Sequence, residues 1–175
     1  MSEFLGSTYW RMLGALFLND EAFDQIAKEK RGVWQAIIVV VLASISTALG
    51  HVPEYEGLAI LPLNAFLVAV WWFVFAVALY FIASLLLVGW ESRTDFFSFM
   101  KIAALGMTPA ILRAFQLLPI VGPYTYPLTI AWMLGCMVVG VGVAFGVKST
   151  FKVSMIIALA MIPWILIEYS LLAPR

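Results

Sequence analysis

From Leu58 to Gly89 the chain carries no aspartate, glutamate, lysine or arginine. A helix rising 1.5 Å per residue needs about 20 apolar residues to cross the hydrocarbon core of a bilayer. Inside that core every backbone polar group must find its partner within the protein. A stretch of this kind folds as a transmembrane helix, tilted or with one end protruding. Further apolar stretches lie before and after it, so the fold class is an all-α integral membrane protein. The expected form is a bundle of five transmembrane helices, at about 33–49, 58–89, 96–118, 128–147 and 153–172, behind an N-terminal amphipathic segment, residues 1–32. Hydrophobic residues make up 64% of the chain and charged residues 11%, against about 45–50% and about 25% in soluble domains. At this length that leaves little room for a separate soluble module. A net charge of zero gives no field to attract nucleic acid.

Within the N-terminal segment, Tyr9, Trp10, Leu13, Leu16 and Phe17 fall on one stripe at helical spacing. Asn19 has the character of an N-cap, with Asp20 and Glu21 facing the positive end of a helix dipole. A second short helix, expected to run to about Lys30 and end at Gly32, shows Phe23, Ile26 and Ala27 on one side. Two readings stand. Either the face of Tyr9, Trp10, Leu13 and Phe17 sinks into the membrane interface, or these helices pack on the protein's own spans. The cluster is interrupted by Arg11 and followed by acidic residues, so no cleavable signal peptide is expected.

Basic residues alternate along the chain. Arg11, Lys28, Lys30 and Arg31 precede the first span, Arg93 and Lys101 flank the second connection, and Lys148 and Lys152 occupy the fourth. The positive-inside rule then predicts a cytoplasmic N-terminus and an outer C-terminus, with the lipid bilayer as the obligatory partner.

The third span, entered through Thr94 or Asp95 as cap, carries Gly106 and Pro109 in its middle and Arg113 beyond them, with Pro119 at its exit. Proline removes a backbone donor and breaks or kinks a helix, so Gly106, Pro109, Pro119 and, in the last span, Pro163 are expected breaks. Pro119–Pro127, rich in proline and tyrosine, is expected as a turn. Arg113 and Glu168 both fall about 24–27 Å from the cytoplasmic ends of their spans. A charge at that depth is costly unless paired, and the matching depths predict an Arg113–Glu168 pair. This pair either fixes helix packing or belongs to a polar pocket open to the outer face, with Gln116, His51, Glu54 and Glu56. His51, Glu54 and Glu56 match no strong metal-binding spacing, and no metal or cofactor is expected. Trp71, Trp72, Phe73 and Phe75 are expected to face lipid or to pack. Gly135, Gly140, Gly142 and Gly146 mark the fourth span as a close-packing helix, Gly142 and Gly146 at GxxxG spacing. Ser44, Ser46 and Thr47 are expected to bond back to helix carbonyls, and Cys136, the single cysteine, to pack. None of the common hydrolase, nucleotide-binding or metalloprotease signatures is present.

The order of several features resembles the Yip1-domain family. They are Phe23 to Lys30 before the first span, the entry Phe96–Phe99, and Gly106-Met-Thr-Pro109 followed by Leu117-Leu-Pro119 and Gly122. Trp132, a glycine-rich fourth span and Lys152 complete the set. The resemblance covers nearly the whole chain. It implies a five-span, non-enzymatic protein with a part in membrane traffic, associating with small GTPases of the Rab class and with copies of itself or other membrane proteins. The chain lacks the long hydrophilic N-terminal region of the eukaryotic members, so it is expected to be similar to the compact prokaryotic ones and not to bind Rab-type GTPases. Two functions follow as expectations: a non-enzymatic protein that organises or shapes membrane or scaffolds partners, and alternatively a small oligomeric transporter, channel or lipid-translocating protein using Arg113 and Glu168.

Overall fold

The computed structural model describes residues 2–51, 58–87 and 94–172, with side chains in the last helix to Ile162. Seven α-helices occupy these residues: α1 (Ser2–Leu16), α2 (Asp20–Lys28), α3 (Gly32–Gly50), α4 (Leu61–Leu86), α5 (Phe96–Leu105), α6 (Gly122–Phe145) and α7 (Thr150–Leu172). A 3-10 helix, Thr108–Leu117, continues α5, and the described residues contain no strand. Four segments are long and apolar enough to cross a membrane: Gly32–Gly50, Leu61–Leu86, Phe96–Leu117 and Gly122–Phe145. The chain is a multi-pass integral membrane protein.

Helix starts follow the cap chemistry. Asn19 accepts a hydrogen bond from the Glu21 amide at 2.9 Å, and Asp95 accepts one from the Ser98 amide at 3.0 Å. Both satisfy amides that a helix leaves open at its first turn. The α2 end differs from expectation: the helix closes at Lys28 with Glu29 as cap, and Gly32 instead opens α3. A Cβ on Gly32 would lie 2.5 Å from the Ile26 carbonyl oxygen, so the close turn back onto α2 requires glycine there.

The third span is broken where its sequence carries Gly106 and Pro109. In a continuous α-helix the amide of residue 109 would bond to the Leu105 carbonyl, and proline has none to give. The Thr108 hydroxyl takes that carbonyl instead, at 2.6 Å, and the chain goes on as a 3-10 helix with Pro109 in its first turn. Pro119 lies in the turn that follows.

Two other proline readings require correction. α6 starts at Gly122, so the expected turn through Pro127 is largely helical. Pro123 falls in the first turn, where its missing donor costs nothing, and Pro127 falls close enough to the start to remove a single bond. At Pro163, where a break was expected, α7 is continuous from Thr150 to Leu172. One lost hydrogen bond does not break a helix supported on either side.

The α1–α2 hairpin is not a free appendage. α2 buries Phe23 and Ile26 fully. Phe23 lies against Gly140 of α6, where a Cβ would come within 2.8 Å of Ile102 and 3.4 Å of the Phe23 ring. Gly140 is thus the point of closest approach among α2, α5 and α6. Gly135 meets only Leu18 at ordinary contact distance, 3.6 Å, and Gly142 approaches the Val147 carbonyl. Gly146 lies outside the packing stripe, at φ 64 as the left-handed cap that ends α6. GxxxG spacing here joins a helix position to a helix end.

Candidate functional site: a braced hairpin and a polar cavity

The hairpin is fastened to the bundle by polar contacts that few soluble-protein rules would locate. Gln35 on α3 is buried. Its amide donates to Ser7 Oγ at 2.9 Å and its carbonyl oxygen accepts from Arg11. Arg11 is also ion-paired with Glu29. The Trp132 indole donates to the Leu16 carbonyl at 2.8 Å, and the Cys136 thiol to the Ala15 carbonyl at 3.3 Å. Both bonds go to carbonyls of the last turn of α1, where Ala15 also accepts from the Leu18 amide at 3.0 Å. At the other end of the hairpin the buried Lys101 donates to the carbonyls of Ala27 and Glu29, and Ser98 Oγ to Ala27 at 3.1 Å. A cation at a helix C-terminus also meets the negative end of its dipole. Lys101, read from sequence as a flanking topogenic charge, is a buried cap for α2.

With its back fixed this way, α1 turns Tyr9 and Trp10 outward, at 57% and 71% exposure, and Phe17, just past its end, is 79% exposed, while Leu13 is half-buried. Asn19, Asp20 and Glu21 are exposed at the hairpin turn beside them. Thr8 and Ala15 are the buried side of the helix. The two sequence readings of this segment therefore divide between its helices: α2 packs on the spans, and α1 offers its aromatic residues outward.

Between α3, α4, the third span and α6 lies a cavity of about 340 Å³. Arg113 projects into it from the 3-10 helix, its Nε donating to Thr129 Oγ1 at 3.2 Å and Nη2 approaching the Met133 sulfur at 3.6 Å. The guanidinium carbon stands 4.9 Å from the centre of the Tyr126 ring, a cation–π distance. His51 meets the same ring edge-on at 6.0 Å, and its Nδ1 lies 2.8 Å from the Thr47 carbonyl. Because a carbonyl only accepts, that nitrogen carries the proton and Nε2 is left over. Trp72, Phe75 and Met137 supply apolar wall. The Thr47 hydroxyl and the Trp72 indole N–H are buried with no hydrogen-bond partner among the described residues, as is the Ser44 hydroxyl. The expected back-bonding of Ser44 and Thr47 is thus replaced by open polar atoms.

The cavity brings Arg113 and His51 together. Gln116 is elsewhere, packed against Gly50, where a Cβ would come within 2.7 Å of the Arg113 carbonyl oxygen. Gly50 is the close-approach glycine between α3 and the 3-10 helix, and no spacing motif announces it. The Glu168 side chain, Glu54 and Glu56 lie outside the described residues, and so does the predicted Arg113–Glu168 pair. Among the described residues no carboxylate is within ion-pair distance of Arg113.

A family model of the Yip1 domain matches residues 13–173. The chain matches no curated protein and no solved structure.

Proposed function

The chain belongs to the Yip1 domain family, and from that membership we propose a non-enzymatic protein that organises or shapes the membrane it sits in. Membrane traffic is the setting to which the family is linked. The observation that carries the reading is the braced α1: three large aromatic side chains exposed on, and directly after, a helix whose opposite side is tied to α3 and α6. An amphipathic helix of this kind displaces lipid at the headgroup boundary. A brace transmits that displacement to the bundle instead of letting the helix float. α7 completes a five-helix bundle in this reading, with the N-terminus in the cytoplasm and self-association through the exposed apolar flanks.

The test is vesicle remodelling. Full-length protein reconstituted at increasing density is expected to reduce the mean diameter of the proteoliposomes. A Tyr9→Ser, Trp10→Ser, Phe17→Ser triple variant, reconstituted in equal amount, is expected to leave the diameter unchanged. Equal remodelling by both proteins would contradict the proposal.

A further inference from the structure

We propose that the cavity at Arg113 is a binding site for one anionic phospholipid, its acidic headgroup on the guanidinium and an acyl chain along the Trp71–Phe75 wall. The inference does not depend on the role of α1. It starts from a mismatch inside the cavity. A guanidinium at membrane depth is expensive without a counter-charge, yet the described partners of Arg113 are neutral: a threonine hydroxyl, a thioether and an aromatic ring. A guanidinium carries five donors, and these contacts leave donors over.

Around it the cavity holds polar atoms that have no partner among the described residues. Thr47 Oγ1 and Trp72 Nε1 are both buried and unbonded, on residues that line the space. Buried polar groups are normally satisfied, and these two belong to residues that line the same volume as Arg113. His51 adds a ring nitrogen at the same end, fixed by its bond to Thr47. The volume, about 340 Å³, falls at the small end of ordinary ligand sites. The remaining wall, Val68, Trp71, Phe75, Ile130 and Met161 among it, is apolar. A charged group with hydrogen-bond acceptors at one end and hydrocarbon at the other fits both halves; a free inorganic anion fits only the first.

The experiment uses the full chain in detergent micelles, with binding followed by native mass spectrometry and by thermal stabilisation. The probes are dioctanoyl phosphatidylglycerol, dioctanoyl phosphatidylcholine and inorganic phosphate. Phosphatidylglycerol is expected to bind as one retained molecule, about tenfold or more tightly than phosphatidylcholine, with Arg113→Gln losing that preference. Phosphate alone is expected neither to stabilise the protein nor to displace the lipid. Val68→Trp fills the wall from α4, a helix that supplies none of the described partners of Arg113, and is expected to abolish binding; it serves if Arg113→Gln does not fold. Equal binding of the two lipids would overturn the proposal, since it would mean that Arg113 is neutralised from within the chain. Unchanged binding in either variant would overturn it as well. Displacement by phosphate at low millimolar concentration would make the site one for a free anion and overturn the lipid assignment.

Discussion

The indole N–H of Trp132 lies 2.8 Å from the carbonyl oxygen of Leu16, joining the middle of α6 to the end of α1. Replacing Trp132 with Phe keeps an aromatic ring and removes the donor. The expected cost is about 1 kcal/mol, concentrated on the hairpin. Hydrogen exchange should show faster opening of α1 with the amides of α3 and α6 unchanged. Uniform acceleration through the bundle would mean that the bond has no special part in holding α1.

Lys101 should matter far more than a flanking charge. Lys101→Met preserves length and apolar stem but removes the charged donor from the Ala27 and Glu29 carbonyls, which keep only Ser98 Oγ and the Gly32 amide. A destabilisation of about 1–3 kcal/mol is expected, visible as a lower melting temperature in detergent. Lys152→Met, on an exposed residue, is expected to change melting by much less.

Glycines in α6 should respond according to what a Cβ would meet. Gly140→Ala drives a methyl to within 2.8 Å of Ile102 and is expected to cost about 1–3 kcal/mol. Gly135→Ala, with 3.6 Å to Leu18, is expected to be near neutral. Gly146→Ala forces a left-handed cap on a residue with a side chain and should cost about 1 kcal/mol. Melting temperatures of the three variants check the order.

Asp95 gives the fold a pH dependence of known sign. The amide of Ser98, donating to its carboxylate, is the main cause that holds its pKa below the usual value. The folded state therefore binds its proton more weakly than the unfolded one, so the contribution is present above about pH 4. It is lost as pH falls through the lowered folded value. The group is largely exposed, so solvent screens the effect and its size is small. Asp95→Asn keeps a cap and should flatten that part of the stability profile; an unchanged slope below pH 4 would exclude Asp95 as its source.

Much of the architecture was legible before any coordinates. Apolar runs locate the spans because lipid leaves the backbone no other choice than helix. Asn19, Asp95 and the Gly106–Pro109 break are local, and local chemistry is written in neighbouring residues. The fastening of the hairpin was not legible: Trp132 and Cys136 reach backbone carbonyls of Leu16 and Ala15, and a carbonyl has no sequence signature. Lys101 was misplaced because a lysine near a span end reads as topogenic charge, and only the fold brings the α2 C-terminus to it. Gly50 escaped for a similar reason, since its neighbour in space is Arg113 rather than a residue on its own helix. Arg113 was legible as a costly charge. Its threonine, thioether and tyrosine surroundings were not, because the start of α6 was read as a turn.

The most direct test is the depth of α1. A nitroxide placed singly at Tyr9, Trp10 or Phe17, with another at Glu21 for comparison, reports its surroundings by collision with oxygen and with a water-soluble nickel complex. Cys136 is buried, so the introduced thiols are the ones labelled. The expected result in proteoliposomes is high oxygen and low nickel accessibility at positions 9, 10 and 17, and the reverse at 21. Nickel accessibility at the aromatic positions equal to that at Glu21 would put α1 in water and contradict the membrane-shaping role.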